Sequence, residues 1–253
     1  SCRRWPGPAA RLWHLLSRDK NQKSTMNKPD FRFFHRLRVR WAEVDMQKIV
    51  FNAHYLMYVD TAIADYWRAI ALPYEQTLHA LGGELFVKKS TLEFHASALY
   101  DDRLSVGLRC ARMGNSSVQF LSGIFRGEEL LVSAELIYVF ADPVAKVALP
   151  VPQALRQTML GFERGEPVVS TTFSPWSEVG ATVQSLRPAD EHDATALHCL
   201  LRNALGEPVA TARRCAGSQL VDGVAVAEPL RGAGWGKATV AAWAAHTGSA
   251  QAA

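Results

Sequence analysis

A single acidic residue lies between a strand-like run and a helix-like run, and this arrangement could support acyl transfer. Asp45 follows residues 36–41, in which arginines alternate with apolar residues as on a half-buried strand. Asn52 comes seven residues later and is a typical N-cap for an amphipathic helix that begins near Ala53. A carboxylate near the N–H-donating end of a helix can attack a carbonyl or activate water, while free backbone N–H groups hold the carbonyl oxygen. The spacing therefore predicts acyl-transfer chemistry at Asp45.

Two neighbours of Asp45 leave alternatives open. Glu43 precedes it by two residues, so in an extended segment both carboxylates would point to the same side and hinder each other's ionisation. The other interpretation of Glu43 is a solvated charge at the rim. His54 is expected in the first helical turn, either as a secondary catalytic residue or as a surface or interface histidine. On spacing alone, the alternative for Asp45 is an ordinary turn or cap aspartate.

The elements that must position these residues follow from hydrophobic periodicity. Apolar residues recur at helical spacing from about 53 to 70 and predict one long helix with a wide apolar stripe. Its tyrosines and Trp67 are interpreted as core or dimer contacts. Four strands are predicted next, at about 85–95, 104–111, 117–126 and 130–140, followed by a short helix at about 153–162. The fold class is therefore α+β, and one antiparallel sheet wrapped round the long helix is compatible with the pattern.

The segment from Trp41 to Ile70 resembles the signature of hotdog-fold acyl-CoA thioesterases of the 4-hydroxybenzoyl-CoA thioesterase family. In that family an aromatic residue and a short acidic stretch precede the catalytic Asp, and the long helix follows. The resemblance covers about residues 33–162 and extends through residues 72–73, 100–104, 112–118 and 134–140. It implies the hotdog arrangement and hydrolysis of acyl-CoA to a free acid and CoA, with no metal or redox cofactor.

The resemblance also implies roles for individual residues. Asp45 would act as nucleophile or general base, and the backbone N–H of Asn52 would be the oxyanion donor. The turn after the second predicted strand would contact CoA, largely through backbone groups, and its residues are Arg112, Gly114, Asn115, Ser116 and Ser117. The alternative is a plain hairpin turn with a solvated arginine. In such enzymes Asp comes from one chain and the CoA contacts come largely from the other, so a homodimer or homotetramer is expected.

Three positions depart from the family's pattern. Lys48 stands where the family usually has Gly, Asn52 where it often has His, and His54 where it usually has Asn. A lysine at the Gly position predicts either a turn without a left-handed residue or a turn that bears some strain. These departures leave the role of Asp45 intact and leave the acyl preference open.

Residues 164–181 are rich in turn formers and are predicted to be a linker between a domain at 26–163 and a second unit at 182–253. In the second unit, residues 182–190 are predicted to be a strand entering a helix, with Asp190 as its cap. Residues 206–213 read as a hairpin-like strand. A further strand near residue 221 leads into a glycine-rich turn and an alanine-rich helix.

This second unit resembles the acetyl-CoA-binding core of the GNAT N-acetyltransferases. Arg231, Gly234 and Gly236 match the R-x-x-G-x-G loop, whose backbone N–H groups cradle pyrophosphate in that family, and Val226 and Gly232 complete the implied acetyl-CoA site. The unit has only 72 residues from 182 to 253, whereas domains commonly run to about 100–150 residues. The sequence therefore predicts a partial α/β GNAT-like segment, and acetyltransferase activity is the less favoured outcome.

The charge of the chain is concentrated at its start. Residues 1–25 carry six Lys and Arg against one Asp, so they contribute +5 to the net charge of +4 and leave −1 for the remainder. The remainder is therefore not expected to bind nucleic acid. The first 25 residues are interpreted as a disordered leader ahead of Met26, with a mitochondrial presequence as the alternative. Four cysteines without paired or metal-ligand spacing predict a reducing cytoplasm, and no apolar run is long enough to span a membrane.

Overall, the sequence favours an acyl-CoA thioesterase and keeps two alternatives. One is a hotdog module that binds an acyl-CoA or a protein partner without turnover. Asp45 counts against it, because a binding module needs no carboxylate at the helix mouth. The other is an acetyl-CoA-dependent N-acetyltransferase acting through the C-terminal segment.

Overall fold

The computed structural model describes the backbone of residues 26–251 and the side chains of residues 26–247. The predicted leader lies outside these residues. The first half contains a five-stranded antiparallel sheet in the order β1-β3-β4-β5-β2. Its strands are β1 (Phe33–Arg38), β2 (Glu84–Phe94), β3 (Arg103–Met113), β4 (Ser117–Arg126) and β5 (Glu129–Ala141). The four strands predicted from alternation match β2 to β5 with ends shifted by at most two residues.

The long helix α1 (Asn52–Ala69) packs against β1 and β3, and the sheet wraps round it in the predicted hotdog arrangement. Its apolar stripe is buried along the whole length, and Tyr66 and Trp67 are fully buried. A second short helix, α2 (Tyr74–Ala80), follows it, and α3 (Gln153–Arg164) packs against β3. Burial of this stripe is what holds α1 in place, because a helix of this length owes most of its stability to tertiary packing.

Two contacts fasten α3 to the rest of the first half. Glu163 on α3 accepts hydrogen bonds from the Tyr66 hydroxyl at 2.6 Å and from the Cys110 backbone N–H at 2.9 Å. Burial raises the pKa of Glu163, and these two hydrogen bonds oppose that rise. The carboxyl group therefore joins α1, α3 and β3 at one point.

The second half contains a four-stranded antiparallel sheet in the order β6-β7-β8-β9. Its strands are β6 (Ser170–Pro175), β7 (Ala196–Arg202), β8 (Pro208–Cys215) and β9 (Asp222–Val226), and its helices are α4 (Trp176–Gln184) and α5 (Trp235–Gln251). The predicted succession of strand, glycine-rich turn and alanine-rich helix after residue 221 is confirmed. The GNAT-like identity of this unit stays a prediction.

Two local predictions for this half are wrong. Residues 170–184, expected to lie mostly in a linker, form β6 and α4, because β6 pairs along its whole length with β7. Residues 182–190 do not run from a strand into a helix: α4 ends at Gln184, and Asp190 caps no helix. Asp190 instead pairs with Arg213, beside the buried Asp193.

The two halves touch at the C-terminal end of α1. Trp235 Nε1 donates to the Arg68 carbonyl at 2.9 Å, and Asn203 Nδ2 donates to the Ala71 carbonyl at 3.1 Å. The Arg68 carbonyl also accepts the Ala71 N–H at 3.1 Å, so these two side-chain bonds add a link between the halves at the end of the helix. Among the described residues, no helix is both long enough and apolar enough to cross a membrane.

Candidate active site

A small hairpin holds Asp45 directly in front of α1. The Phe51 N–H donates to the Glu43 carbonyl and the Asp45 N–H donates to the Ile49 carbonyl, both at 2.9 Å. Val44 pairs with Val50 between these two bonds. Asp45 therefore lies at the tip, two residue levels from Phe51, or about 7 Å along the strand. Because α1 begins at Asn52, directly after Phe51, the carboxylate and the helix start belong to one compact unit.

The turn engages only one of the two oxygens of the Asp45 carboxylate. Oδ1 accepts the Gln47 N–H at 2.8 Å, which closes a turn of the kind that Asp side chains favour. Oδ2 accepts no hydrogen bond from any described residue. The side chain is half-buried. One carboxylate oxygen is thus fixed, and the other is available to a substrate or a water molecule.

Lys48, which stands at the position predicted to be glycine in the resembled family, has a left-handed backbone conformation. Its φ is 63°, and its N–H donates to the Asp45 carbonyl at 2.9 Å. A residue with a Cβ atom in this region costs about 1–2 kcal/mol. Of the two outcomes expected for this lysine, the strained turn is the one observed.

The start of α1 has no side-chain cap, which corrects the prediction for Asn52. The helix already begins at Asn52, the N-cap position is Phe51, and no side chain caps it. The first N–H groups of a helix have no acceptor within the helix. Among the described residues, the N–H groups of Asn52 and Ala53 have no acceptor either, and both residues are exposed. These donors can serve an incoming oxygen.

Glu43 is an anchor of the hairpin, so the preferred interpretation as a solvated rim charge is wrong. It is 3% exposed, and it accepts hydrogen bonds from the Arg40 N–H at 2.8 Å, Arg40 Nε at 2.7 Å and the Tyr58 hydroxyl at 2.7 Å. Burial alone would raise the pKa of Glu43, but these hydrogen bonds together lower it. The three-residue spacing of Arg40 and Glu43 is the sequence signal that could have indicated this pairing.

Tyr55 joins the hairpin to the segment before β3. Its buried hydroxyl accepts the Ala98 N–H at 2.8 Å, while the Val50 N–H donates to the Ala98 carbonyl at 2.9 Å. Burial raises the pKa of Tyr55, and the negative charge of Asp45 contributes in the same direction. Sequence analysis assigned Tyr55 only to the core or to a dimer contact.

His54 lies in the first turn of α1 as predicted, and its role stays open. The residue is half-buried, and its ring meets the Phe51 ring edge-on at a centroid distance of 6.0 Å. No described residue hydrogen-bonds to the imidazole. His54 therefore remains a secondary candidate beside Asp45.

The turn predicted to contact CoA is built largely from backbone hydrogen bonds. The Gly114 N–H donates to the Ser117 carbonyl at 2.8 Å, the Ser116 carbonyl accepts from Phe140 at 2.8 Å, and the Asn115 carbonyl accepts from Val151 at 2.7 Å. A Cβ atom on Gly114 would approach Ser117 Oγ to 2.5 Å, so the Ser117 hydroxyl would have to rotate away from any larger residue there. The N–H groups of Asn115 and Ser116 have no partner among the described residues.

One chain does not bring this turn to Asp45. β3 starts at Arg103, near the hairpin, and its last residues are Arg112 and Met113, after which residues 114–116 turn into β4. Ten residue steps along a strand amount to about 34 Å. Arg112 is exposed at that far end. In one chain, Asp45 and the predicted CoA contacts therefore lie near opposite ends of β3.

The predicted acetyl-CoA loop follows β9 in the second half. Gly232 and Gly234 have φ values of 84° and 91°, so both use backbone freedom that only glycine offers cheaply. Arg231 is exposed, Val226 ends β9, and Gly236 lies in the first turn of α5. The loop has the predicted position, and no described contact assigns it a ligand. Across the described residues, no group of three His, Cys, Asp or Glu side chains is arranged to hold a metal ion.

Part of the chain is similar to known proteins. Residues 47–133 match the family model described as the Thioesterase superfamily. The acyl-CoA thioester hydrolase YbgC of Escherichia coli O6:H1 is 28% identical over 120 residues, which cover 47% of this chain and 89% of that protein. A putative esterase of Aquifex aeolicus is 24% identical over 118 residues, covering 47% and 91% of the two chains.

Two solved structures are also similar to part of the chain. A Pseudomonas aeruginosa protein, PA5185, has 27% identity and a TM-score of 0.47, and the match covers 53% of this chain and 94% of that one. A 1,4-dihydroxy-2-naphthoyl-CoA thioesterase from Synechocystis has 21% identity and a TM-score of 0.47, with coverage of 51% and 95%. The family match begins two residues after Asp45 and spans α1 to β5, so the resemblance to the Thioesterase superfamily is confirmed for this part of the chain.

Proposed function

We propose that the protein hydrolyses an acyl-CoA thioester to a free acid and CoA, with Asp45 as the acting carboxylate. The hairpin of residues 43–51 carries this proposal, because it fixes Asp45 beside an uncapped helix start. The similarity to proteins named acyl-CoA thioester hydrolases supports the substrate class. Neither a metal nor a redox cofactor is needed for this reaction.

The residues at the site can act in two ways. As a nucleophile, Asp45 Oδ2 attacks the thioester carbon, the C–S bond breaks, CoA leaves as the thiolate, and water then hydrolyses the anhydride. As a general base, Asp45 takes a proton from water, and the resulting hydroxide adds to the carbon before the C–S bond breaks. In both mechanisms, the N–H groups of Asn52 and Ala53 stabilise the negative carbonyl oxygen.

The active unit we propose is a homodimer or a homotetramer. The separation of about 34 Å along β3 is the first support, since it leaves Asp45 far from the predicted CoA turn in one chain. The second is the edge strand β2, which exposes Val87 (57%) and Phe94 (38%). An unpaired strand edge with apolar side chains readily pairs with another chain.

A cytoplasmic location remains part of the proposal. The less favoured functions are a non-catalytic acyl-CoA or partner-binding module and an acetyltransferase using the loop of residues 231–236.

Free-thiol release from short, medium, long and aromatic acyl-CoAs tests the proposal. Asp45→Asn should lower kcat by about 100-fold or more, the typical contribution of an acid–base residue. Asp142→Asn is the matched control, because Asp142 Oδ1 accepts the Val144 N–H at 2.7 Å in the same kind of turn. Absence of turnover with every acyl-CoA would favour the binding module, and turnover that is indifferent to Asp45 would overturn the assignment of Asp45 as the acting carboxylate. Saturable acetyl-CoA binding that is lost in Gly234→Ala would instead favour the acetyltransferase.

A further inference from the structure

A basic groove lies on the outer face of the first sheet, on the side opposite α1. Phe33 and Leu37 of β1 pack against the main core. Side chains alternate along a strand, so the intervening Phe34, Arg36 and Arg38 point to the other face. This face belongs to no part of the proposed active site described above.

The groove has the size of a small-molecule site and an unusual charge. Its volume is about 680 Å³, within the range of roughly 300–1,000 Å³ that is typical of ligand pockets. Among the described residues, no acidic side chain lines it, and the polar lining consists of Lys28, Arg36, Arg38, Arg103 and Ser105. Because residues 26–253 carry a net charge of −1 (+4 less the +5 of residues 1–25), these cations are a local concentration and not a general property.

Strand register forces two of these arginines together. Arg38 on β1 lies directly opposite Arg103 on β3, a pairing that puts their Cβ atoms about 5 Å apart. Arg36 lies two residues along the same face, about 7 Å from Arg38. Like charges directly opposite each other destabilise a sheet. The free chain therefore bears a repulsion that a bound anion would remove.

The described residues compensate this charge only in part. Asp101 lies 3.2 Å from Arg38, but both side chains are more than half exposed, and such pairs contribute little. Lys28 pairs with Glu128 at 3.1 Å. Neither Arg36 nor Arg103 has an ion-pair partner among the described residues, and both are exposed.

We propose that this groove binds a small molecule carrying a diphosphate. Guanidinium groups present paired N–H donors that match phosphate oxygens, and three of them within about 7 Å can hold two adjacent phosphoryl groups. Phe34 forms one wall of the groove, half-buried and packed edge-on against Phe31 and Phe125 at 6.1 and 6.4 Å. Its ring offers a base a surface for stacking. The ligand chemistry is that of a nucleoside diphosphate.

Two sources share this chemistry. One is the nucleotide end of coenzyme A, and this source rests on the proposed thioesterase function. The other is a free nucleoside diphosphate, which would bind whether or not the protein hydrolyses acyl-CoA.

Calorimetric titration of the full chain with inorganic pyrophosphate and with ADP tests the site directly. The double variant Arg36→Gln/Arg103→Gln should lower the affinity for both ligands at least tenfold. The charge-matched control is Lys146→Gln/Arg164→Gln, which removes two exposed cations elsewhere and should bind as the parent does. Thermal melting of both variants checks that they fold. Absence of saturable binding to the parent, or equal weakening in both variants, would overturn the proposal.

Kinetics then identify the source. If the ligand is the nucleotide end of CoA, the groove variant should raise KM for an acyl-CoA at least fivefold with kcat unchanged. It should also hydrolyse the corresponding acyl-pantetheine, which lacks the nucleotide, as the parent does. If the ligand is a free nucleoside diphosphate, ADP binding is lost while KM for acyl-CoA stays the same. Because binding is measured without turnover, failure of the thioesterase proposal leaves the titration decisive.

Discussion

The Tyr58 hydroxyl donates to Glu43 Oε2 at 2.7 Å, and this bond ties the hairpin that carries Asp45 to the second turn of α1. Phe51 donates its N–H to the carbonyl of the same Glu43. The position of Asp45 relative to the helix start thus depends on a buried carboxylate that makes no contact with substrate in the proposed mechanism. Glu43 is a positioning residue.

Replacement of Glu43 by Gln should reduce stability by about 1–3 kcal/mol, because it removes the charge on a buried acceptor that Arg40 and Tyr58 share. The lowered pKa of Glu43 makes its contribution present above the unfolded-state pKa, and the contribution disappears as pH falls through the folded-state value. Melting curves between pH 7 and pH 3 should therefore converge for parent and variant at the acidic end. A difference in melting temperature between parent and variant that does not change with pH would contradict this account.

The variant Lys48→Gly should stabilise the protein by about 0.5–1 kcal/mol. Glycine adopts the observed φ of 63° without a Cβ penalty, although it gives back part of the gain through a more flexible unfolded chain. Lys48→Ala removes the same ammonium group but keeps the Cβ atom, so it should give no such gain. Denaturant unfolding of the three proteins measures the difference, and an alanine variant as stable as the glycine variant would show that charge, not backbone strain, is responsible.

The variant Phe51→Ser should separate stability from activity. A serine at the N-cap can accept an N–H of the first helical turn and typically stabilises a helix by about 1 kcal/mol. The same hydroxyl would compete with the thioester oxygen for the Ala53 N–H, which is at the second helical position, so kcat should fall. Phe51→Ala, which also removes the half-exposed ring but cannot cap, should lower stability without this competition. If the serine variant keeps the kcat of the alanine variant, the Ala53 N–H does not serve as an oxyanion donor.

The variant Glu163→Gln should gain stability relative to the parent as pH rises. The pKa of Glu163 is raised in the folded state by burial, so the folded protein holds this proton more tightly than the unfolded chain. Its contribution is therefore complete below the unfolded-state pKa and is lost as pH rises through the folded-state value. Glutamine cannot ionise and still accepts a hydrogen bond from Tyr66. Melting temperatures from pH 4 to pH 8 measure the divergence, and parallel curves would contradict the assigned pKa direction.

Much of the first half could be predicted from the sequence because its signals are local. The stripe of apolar residues in α1 has helical spacing, and the strands from β2 to β5 are separated by turn-forming residues. Less of the second half could be predicted from the sequence. β6 contains Ser, Thr and Pro and becomes a strand only because β7 pairs with it, while α4 is too short for a clear helical period.

The candidate site likewise has some features that could be predicted from local sequence and others that could not. The presence of a carboxylate at Asp45 ahead of a helix start could be predicted from the sequence, since both features follow from residue types within one short segment. The burial of Glu43 could not, because its partner Tyr58 is supplied by a helix packed across the hairpin. The tertiary structure also places residues 112–117 at the far end of β3 and Arg38 opposite Arg103. These are consequences of strand length and register, which depend on how distant segments pair and which local patterns do not encode.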